Sequence, residues 1–287
     1  MVAQRPNRAR QDCVTAYHAA LLTLIAVNAM LALSLNLITG LCRQVSLGHA
    51  AFACVGAYAT ALLAKAGYGV WVTMPASMVL AAVLGLFVGV CSIRVREDFL
   101  AVATMGIGFL VVGVVRTNDA LGGELGISRI PWPHGAPPLW TIACTCTALV
   151  CAACWWIKRS WLGFVFLAVG TDEAAARSLG IDASRYKVAA FAIGTALAGL
   201  AGCIYAYYLT SVGPDAFGFP VSVMILATVV IGGMGSLAGS VLAALLLTLC
   251  PRRGACRGAK SGLLVLDTPD QRRSVRRLKQ DICPAPS

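Results

Sequence analysis

Seven mostly apolar stretches follow one another along the chain, at 17–38, 45–64, 70–93, 99–115, 139–157, 188–209 and 221–249. Most are near the roughly 20 residues that an α-helix needs to cross a hydrocarbon layer about 30 Å thick. Polar residues gather in the connectors instead of alternating within the stretches. That pattern predicts helices and excludes a transmembrane barrel, whose strands alternate at period two. We therefore expect an all-α fold, a polytopic helical membrane protein of about six to eight membrane segments. The last stretch is interrupted by GGMGS at 232–236, where a continuous helix is least at home.

Composition supports the reading: of 287 residues 59% are hydrophobic and 12% charged, with a mean hydropathy of +0.79. Soluble domains carry roughly 25% charged residues. The net charge of +11 does not imply nucleic acid, because the cations sit in the termini and between apolar segments. They serve better as orientation signals, since Lys and Arg favour the cytoplasmic side. The basic clusters are RPNRAR at the start, RVR at 94–96, KRS at 158–160 and the tail. If the first two are both cytoplasmic, one of the three segments between them does not cross fully. We assign that role to 45–64, whose Ser46, Gly48, His49 and Gly56 suit a helix that breaks or packs inside protein. Six crossings remain, with both termini inside. The basic segment 1–16 is then cytoplasmic, and the run after it is a retained span: it is too long for a signal-peptide core and lacks a small-x-small cleavage site. The domain plan is this N-terminus, a membrane domain at 17–249 and a basic tail at 250–287.

Two connectors stand out. Residues 116–138, RTNDALGGELGISRIPWPHGAPP, are rich in Gly and Pro and form an outer loop, with Trp132 placed as an interface anchor. Residues 158–187 belong to the opposite face and contain TDEAAARSLGID. Its alanines favour a helix, with Thr171 and Asp172 available as N-cap and first-turn acid and Gly180 as the stop. Such a short helix could lie on the membrane surface or dock a partner.

Candidate chemistry is sparse. Cys54, Cys91, Cys144, Cys146, Cys151, Cys154 and Cys203 fall inside apolar segments, where cysteine acts as a small hydrophobe. CxxC at 151–154 has no accompanying His or carboxylate, so no metal is expected. No catalytic residue is assigned: a membrane enzyme would need intramembrane acids, bases or nucleophiles, and the serine of GMGSLAG lacks G-x-S-x-G spacing. A secondary transporter or a channel for urea or an amide is the alternative, but ion-coupled transport generally uses buried carboxylates. GGMGS, with Gly232, Gly233, Gly235 and Ser236, is either a close-packing device or a helix break lining a solute path. Asn36, Ser46, Gly48 and His49 raise the same choice.

The spacing of Ala175, Ala176 and Gly180, AAxxxG, resembles the EAA loop of bacterial ABC-importer permeases, the helix that sits in a groove of the ATPase subunit. Here Glu173 stands one residue further from the alanine pair, with Ala174 between. SLNLITGLCRQVSLGHAAFACVGAYATALL at 34–63 is similar to the first block of the branched-chain amino-acid (LIV) permeases. DFLAVATMGIGFLVVGVVRTNDALGGELGISRIP at 98–131 resembles the block that marks their M-type, and 211–247 resembles the late block around GGMGS. The resemblance implies a coupling helix at 171–180 using Glu173, Ala175, Ala176, Arg177 and Gly180. It also implies a heterodimer with a second LIV-type permease, two cytoplasmic ATPases, a periplasmic solute-binding protein and a bacterial inner-membrane location. ATP would be used by the partner subunit, since the chain has no P-loop and binds no cofactor of its own. Lipid is the expected surrounding and nucleic acid is not a partner. The tail after Leu249 carries nine Lys or Arg and no run long enough to span, whereas such permeases continue into another apolar segment. A shifted or truncated reading frame would give that change.

Overall fold

The computed structural model describes residues 5–92, 97–133 and 135–254. The RVR cluster and most of the basic tail lie outside the described residues. Ten α-helices carry the described chain: α1 (Arg5–Asn36), α2 (His49–Lys65), α3 (Val70–Ser92), α4 (Glu97–Thr117), α5 (Leu139–Arg159), α6 (Trp161–Thr171), α7 (Glu173–Ser178), α8 (Ala183–Leu209), α9 (Phe219–Gly232) and α10 (Leu237–Gly254). Strands β1 (Ile127–Ser128) and β2 (Ser211–Val212) pair antiparallel.

Among the described residues six stretches are long and apolar enough to cross a membrane: Tyr17–Leu41, Val70–Cys91, Phe99–Thr117, Leu139–Arg159, Ala183–Leu209 and Pro214–Gly232. In the most apolar windows of the first and fifth 72% of residues are buried, against 22–33% in the other four. Thus α1 and α8 form the centre. The outer helices turn large side chains such as Val83, Phe87 and Leu110 outward, as a lipid-facing surface requires.

The α8 helix can sit at the centre because its small residues let backbones meet. A Cβ built on Gly202 would lie 2.0 Å from the Ala53 carbonyl oxygen of α2, and one on Gly56 would lie 2.3 Å from that of Gly199. Without a hydrophobic drive between helices in lipid, such close van der Waals contact is a main source of cohesion.

The segment 45–64 is helical only from His49, and α2 is buried along most of its length. It begins inside the bundle. Leu47 N–H donates to Thr104 Oγ1 (3.1 Å) and Ala50 N–H donates to Ser222 Oγ (3.0 Å), supplying acceptors to a helix start buried within the bundle. The last apolar stretch, 221–249, is two helices and not one span: it breaks at Gly233 to Ser236, where Gly233 (φ 88°) and Gly235 (φ 83°) hold the left-handed conformations of a turn.

Contacts between helices fix their directions. Thr147 of α5 bonds the Ala26 carbonyl of α1 (3.3 Å), while Cys154 and Lys158 line a small void with Asn36 and Leu41, so α1 and α5 run parallel. Asn28 meets Thr248 (3.0 Å) and Asn36 meets Ser236 (3.2 Å), so α10 runs against α1. The start of the α1 span and the end of α10 therefore lie at the end of the bundle opposite to loop 158–187. The described start of α1 thus lies opposite to KRS, against the expectation that the two basic clusters share a side, and residues 255–287 of the tail lie outside the described residues. Charge counting treats the N-terminal cluster and KRS as equivalent, but buried packing between α1 and α5 decides their relative direction.

Candidate functional site

At the basic end, α6 leads into α7. The 11-residue α6 is too short to span, and the sequence hides it as an apolar stretch near the head of the connector 158–187. Thr171 closes it, its hydroxyl donating to the Leu167 carbonyl (2.8 Å), so the N-cap of α7 is Asp172 alone, which accepts from Ala175 N–H (3.0 Å). Gly180, at φ 82°, ends the helix in the left-handed conformation, and Ile181 N–H bonds back to the Ala176 carbonyl (3.1 Å). Ala176 is buried against Val165, Val169 and Ala183, which fastens α7 beneath α6 and α8. Ala174, Ala175, Arg177, Leu179 and Gly180 face outward, with Leu179 79% exposed.

Glu173 faces inward along this brace. One carboxylate oxygen accepts from Arg177 and the other from Lys187 of α8, both at 2.6 Å. The Lys187 hydrogen bond, against some opposing desolvation, holds the Glu173 carboxyl below its ordinary value of 4.5, and Arg177 adds to the effect. A depressed folded-state pKa means the brace contributes fully above the unfolded value and is lost as pH falls through the folded one. Hydrogen exchange of 173–181, corrected for intrinsic rate, is therefore expected to stay constant from pH 7 to 5 and to accelerate only below the ordinary glutamate range. Glu173→Gln is expected to show the faster exchange already at pH 7; equal protection in that variant would remove the brace.

The 233–236 turn lies at the same end. Asn36, buried at the close of α1, accepts from Gly235 N–H (2.7 Å) and donates to the Ser236 carbonyl (3.2 Å). Lys158 donates to the Gly235 carbonyl (2.7 Å). A π-helical turn, Leu37–Leu41, follows Asn36, and a Cβ on its Gly40 would lie 2.4 Å from Gly235 N. Gly232 meets Gly239 across the α9/α10 hairpin, with a Cβ-to-carbonyl distance of 2.6 Å. Break and packing thus coincide in one motif.

The structure does not join His49, Ser46 and Gly48 to this turn. His49 is fully buried, with Nε2 2.7 Å from Ser34 Oγ and its ring edge-on to Phe52. Because Ser34 gives its proton to the Leu31 carbonyl (2.8 Å), His49 Nε2 carries the hydrogen of that contact. His49 Nδ1 and Ser46 Oγ are buried without a hydrogen-bond partner. Gly48 packs on α4, where a Cβ would meet the Thr104 carbonyl oxygen at 2.0 Å. Trp132, expected as a lipid-interface anchor, instead packs edge-on against Tyr207 at 5.1 Å between centroids. Among the described residues no three His, Cys, Asp or Glu side chains cluster closely enough to hold a metal.

A feature that the sequence does not announce lies at the opposite end. There α4 and the segment before α9 enclose a cavity of about 460 Å³ whose rim carries the ion pair between Arg116 and Asp215. The partners are 99 residues apart, and neither stands in a motif that marks charge.

Residues 17–254 match the family described as branched-chain amino acid transport system / permease component. The chain belongs to that family. The permease is 34% identical over 259 residues to the high-affinity branched-chain amino acid transport system permease protein LivM of Escherichia coli strain K12, covering 79% of this chain and 61% of that protein. It is 30% identical over 217 residues to the autoinducer 2 import system permease protein LsrC of Enterobacter sp. strain 638, with coverage of 71% and 61%. Identity to the ribose import permease protein RbsC of E. coli K12 is 29% over 260 residues, covering 84% and 74%. No solved structure matches the chain. The permease thus spans about three-fifths of the length of the LivM protein it matches.

Proposed function

We propose that the permease is a membrane subunit of an ATP-driven importer for branched-chain amino acids in the bacterial inner membrane. It works beside a second permease of the same type, two cytoplasmic ATPases and a solute-binding protein on the outer side. The observation that carries this reading is the outward face of α7, where Ala175, Leu179 and Gly180 form a shallow apolar surface on a helix whose inner side is fully braced. A short isolated helix is unstable in water, and this one is capped at both ends and tied to α8. Force applied to it would pass through the Glu173–Lys187 pair into the central helix, which touches α1, α2 and α3. ATP hydrolysis belongs to the partner chain. Asn36, Lys158 and the Gly233–Ser236 turn, at the same end, would transmit the movement to α9 and α10, a two-state rearrangement of packed helices.

Co-purification tests it. With the neighbouring permease and ATPase genes expressed together, the tagged permease is expected to retain the ATPase in detergent, and Ala175→Glu is expected to lose it. Leu125→Glu, at an exposed site of the outer loop, is expected to keep it. Retention of the ATPase by Ala175→Glu would remove the docking role of α7.

A further inference from the structure

The cavity between α2, α4 and α9 is built like a receptor for a small molecule with two opposite charges and a greasy body. Arg116 closes α4 and Asp215 opens the segment leading into α9; their side chains pair at the rim and are 45% and 73% exposed. From Arg116 to Met105 the wall follows 11 residues of α4, about 16 Å at 1.5 Å per residue. The cleft therefore reaches about halfway through a hydrocarbon layer of about 30 Å. Below the rim its wall is apolar, with Met105, Phe109, Val112 and Phe219 the main contributors, and its floor is Ser222 of α9, bonded to the start of α2. Its volume lies within the roughly 300–1,000 Å³ of small-molecule sites.

We propose that this cleft binds an α-amino acid zwitterion with an aliphatic side chain, its carboxylate on Arg116, its ammonium on Asp215 and its side chain against Val112 and Phe109. The assignment rests on the importer reading and names the residues at which solute enters the membrane domain from the outer end. An exposed ion pair is weakly held because water solvates both partners. A zwitterion can part it and leave both charges paired. A lone cation or anion cannot, since each would strand one member of the pair. Neutral polar solutes would satisfy neither charge and would not use the apolar wall. The arrangement thus discriminates by charge pattern at the rim and by shape below it.

The test uses the assembled permease complex in lipid nanodiscs and measures direct binding of radiolabelled L-leucine, with leucinamide and 4-methylpentanoate as competitors that each lack one charge. L-leucine is expected to bind and neither analogue to compete at equal concentration. Arg116→Gln and Asp215→Asn are each expected to weaken L-leucine about 10- to 100-fold, the range for losing a charge-assisted hydrogen bond. Val112→Trp, which fills the cleft below the rim and removes neither charge, is expected to abolish it. Because the ion pair could matter only for folding, R116D/D215R supplies a control that can re-form the pair with its poles exchanged. It is expected to assemble and still bind L-leucine poorly, whereas full recovery would reduce the pair to a structural link and overturn the proposal. So would competition by both analogues or unchanged binding in Val112→Trp. ATPase co-purification, followed in the same samples, separates failure of this subsite from failure of the importer reading: a complex that holds its ATPase but not leucine at this cleft refutes only the former.

Discussion

Gly202→Val is expected to prevent stable folding of the permease. The Cβ alone would sit 2.0 Å from the Ala53 carbonyl oxygen and 2.8 Å from its carbon. Both are backbone atoms of a buried helix and cannot swing aside as a side-chain tip could. Overpacking of a well-packed core costs about 1–3 kcal/mol where neighbours can shift. Here α2 must move off α8, which also opens the neighbouring contact of Gly56 with Gly199. A loss of about 3 kcal/mol or more is therefore expected, against a typical total stability of about 5–15 kcal/mol. The control is Gly106→Val on α4, where nothing lies within 4 Å of the added atom. That variant is expected to behave as wild type, since valine is no worse than glycine in a helix interior. Fluorescence-detected gel filtration after heating distinguishes the two, and a monodisperse Gly202→Val protein of normal melting temperature would refute the close-packing account.

The same contrast marks what a sequence can and cannot disclose. Apolar length alone locates the spans, because lipid leaves a helix of about 20 residues almost no alternative. The break at GGMGS and the stop at Gly180 are equally legible, since glycine at φ near +80° is a local matter. Partner choice is not. Nothing local distinguishes Gly202, which touches α2, from Gly106, which touches nothing. Charge alone misjudges the direction of α1, because the buried seam with α5 leaves no mark on the surface cations. Asp172 replaces Thr171 as cap because Thr171 is the last residue of α6, a helix that the connector 158–187 does not announce. Arg116 and Asp215 are invisible as a pair because their contact exists only once α4 and the approach to α9 are side by side.

A second large effect is expected at the other end of the bundle, where two side chains hold the same turn by unequal means. Asn36 is 1% exposed and satisfies both Gly235 N–H and the Ser236 carbonyl, while Lys158 reaches the Gly235 carbonyl from an exposed position. Truncating Asn36 to alanine leaves the Gly235 N–H without its acceptor, at about 1–3 kcal/mol for a group so stranded, while the Ser236 carbonyl keeps the Ser240 N–H and hydroxyl as donors. That loss corresponds to a fall in melting temperature of about 2–12 °C for a chain of this size. Lys158→Ala frees a carbonyl that water can reach, so its cost is expected to stay within about 1 kcal/mol. Thermal unfolding of both variants in nanodiscs gives the comparison. A larger loss in Asn36→Ala would mean that the turn between α9 and α10 is fixed to α1 by a buried amide, with the π-helical turn at Leu37–Leu41 seating Gly40 beside it. Equal losses would mean that the cation is the tether, and the turn would then loosen with salt, since exposed charges are screened over about 8–10 Å at physiological ionic strength. Only the first outcome gives α1, α9 and α10 the rigid joint that a movement starting at α7 needs in order to reach the solute path.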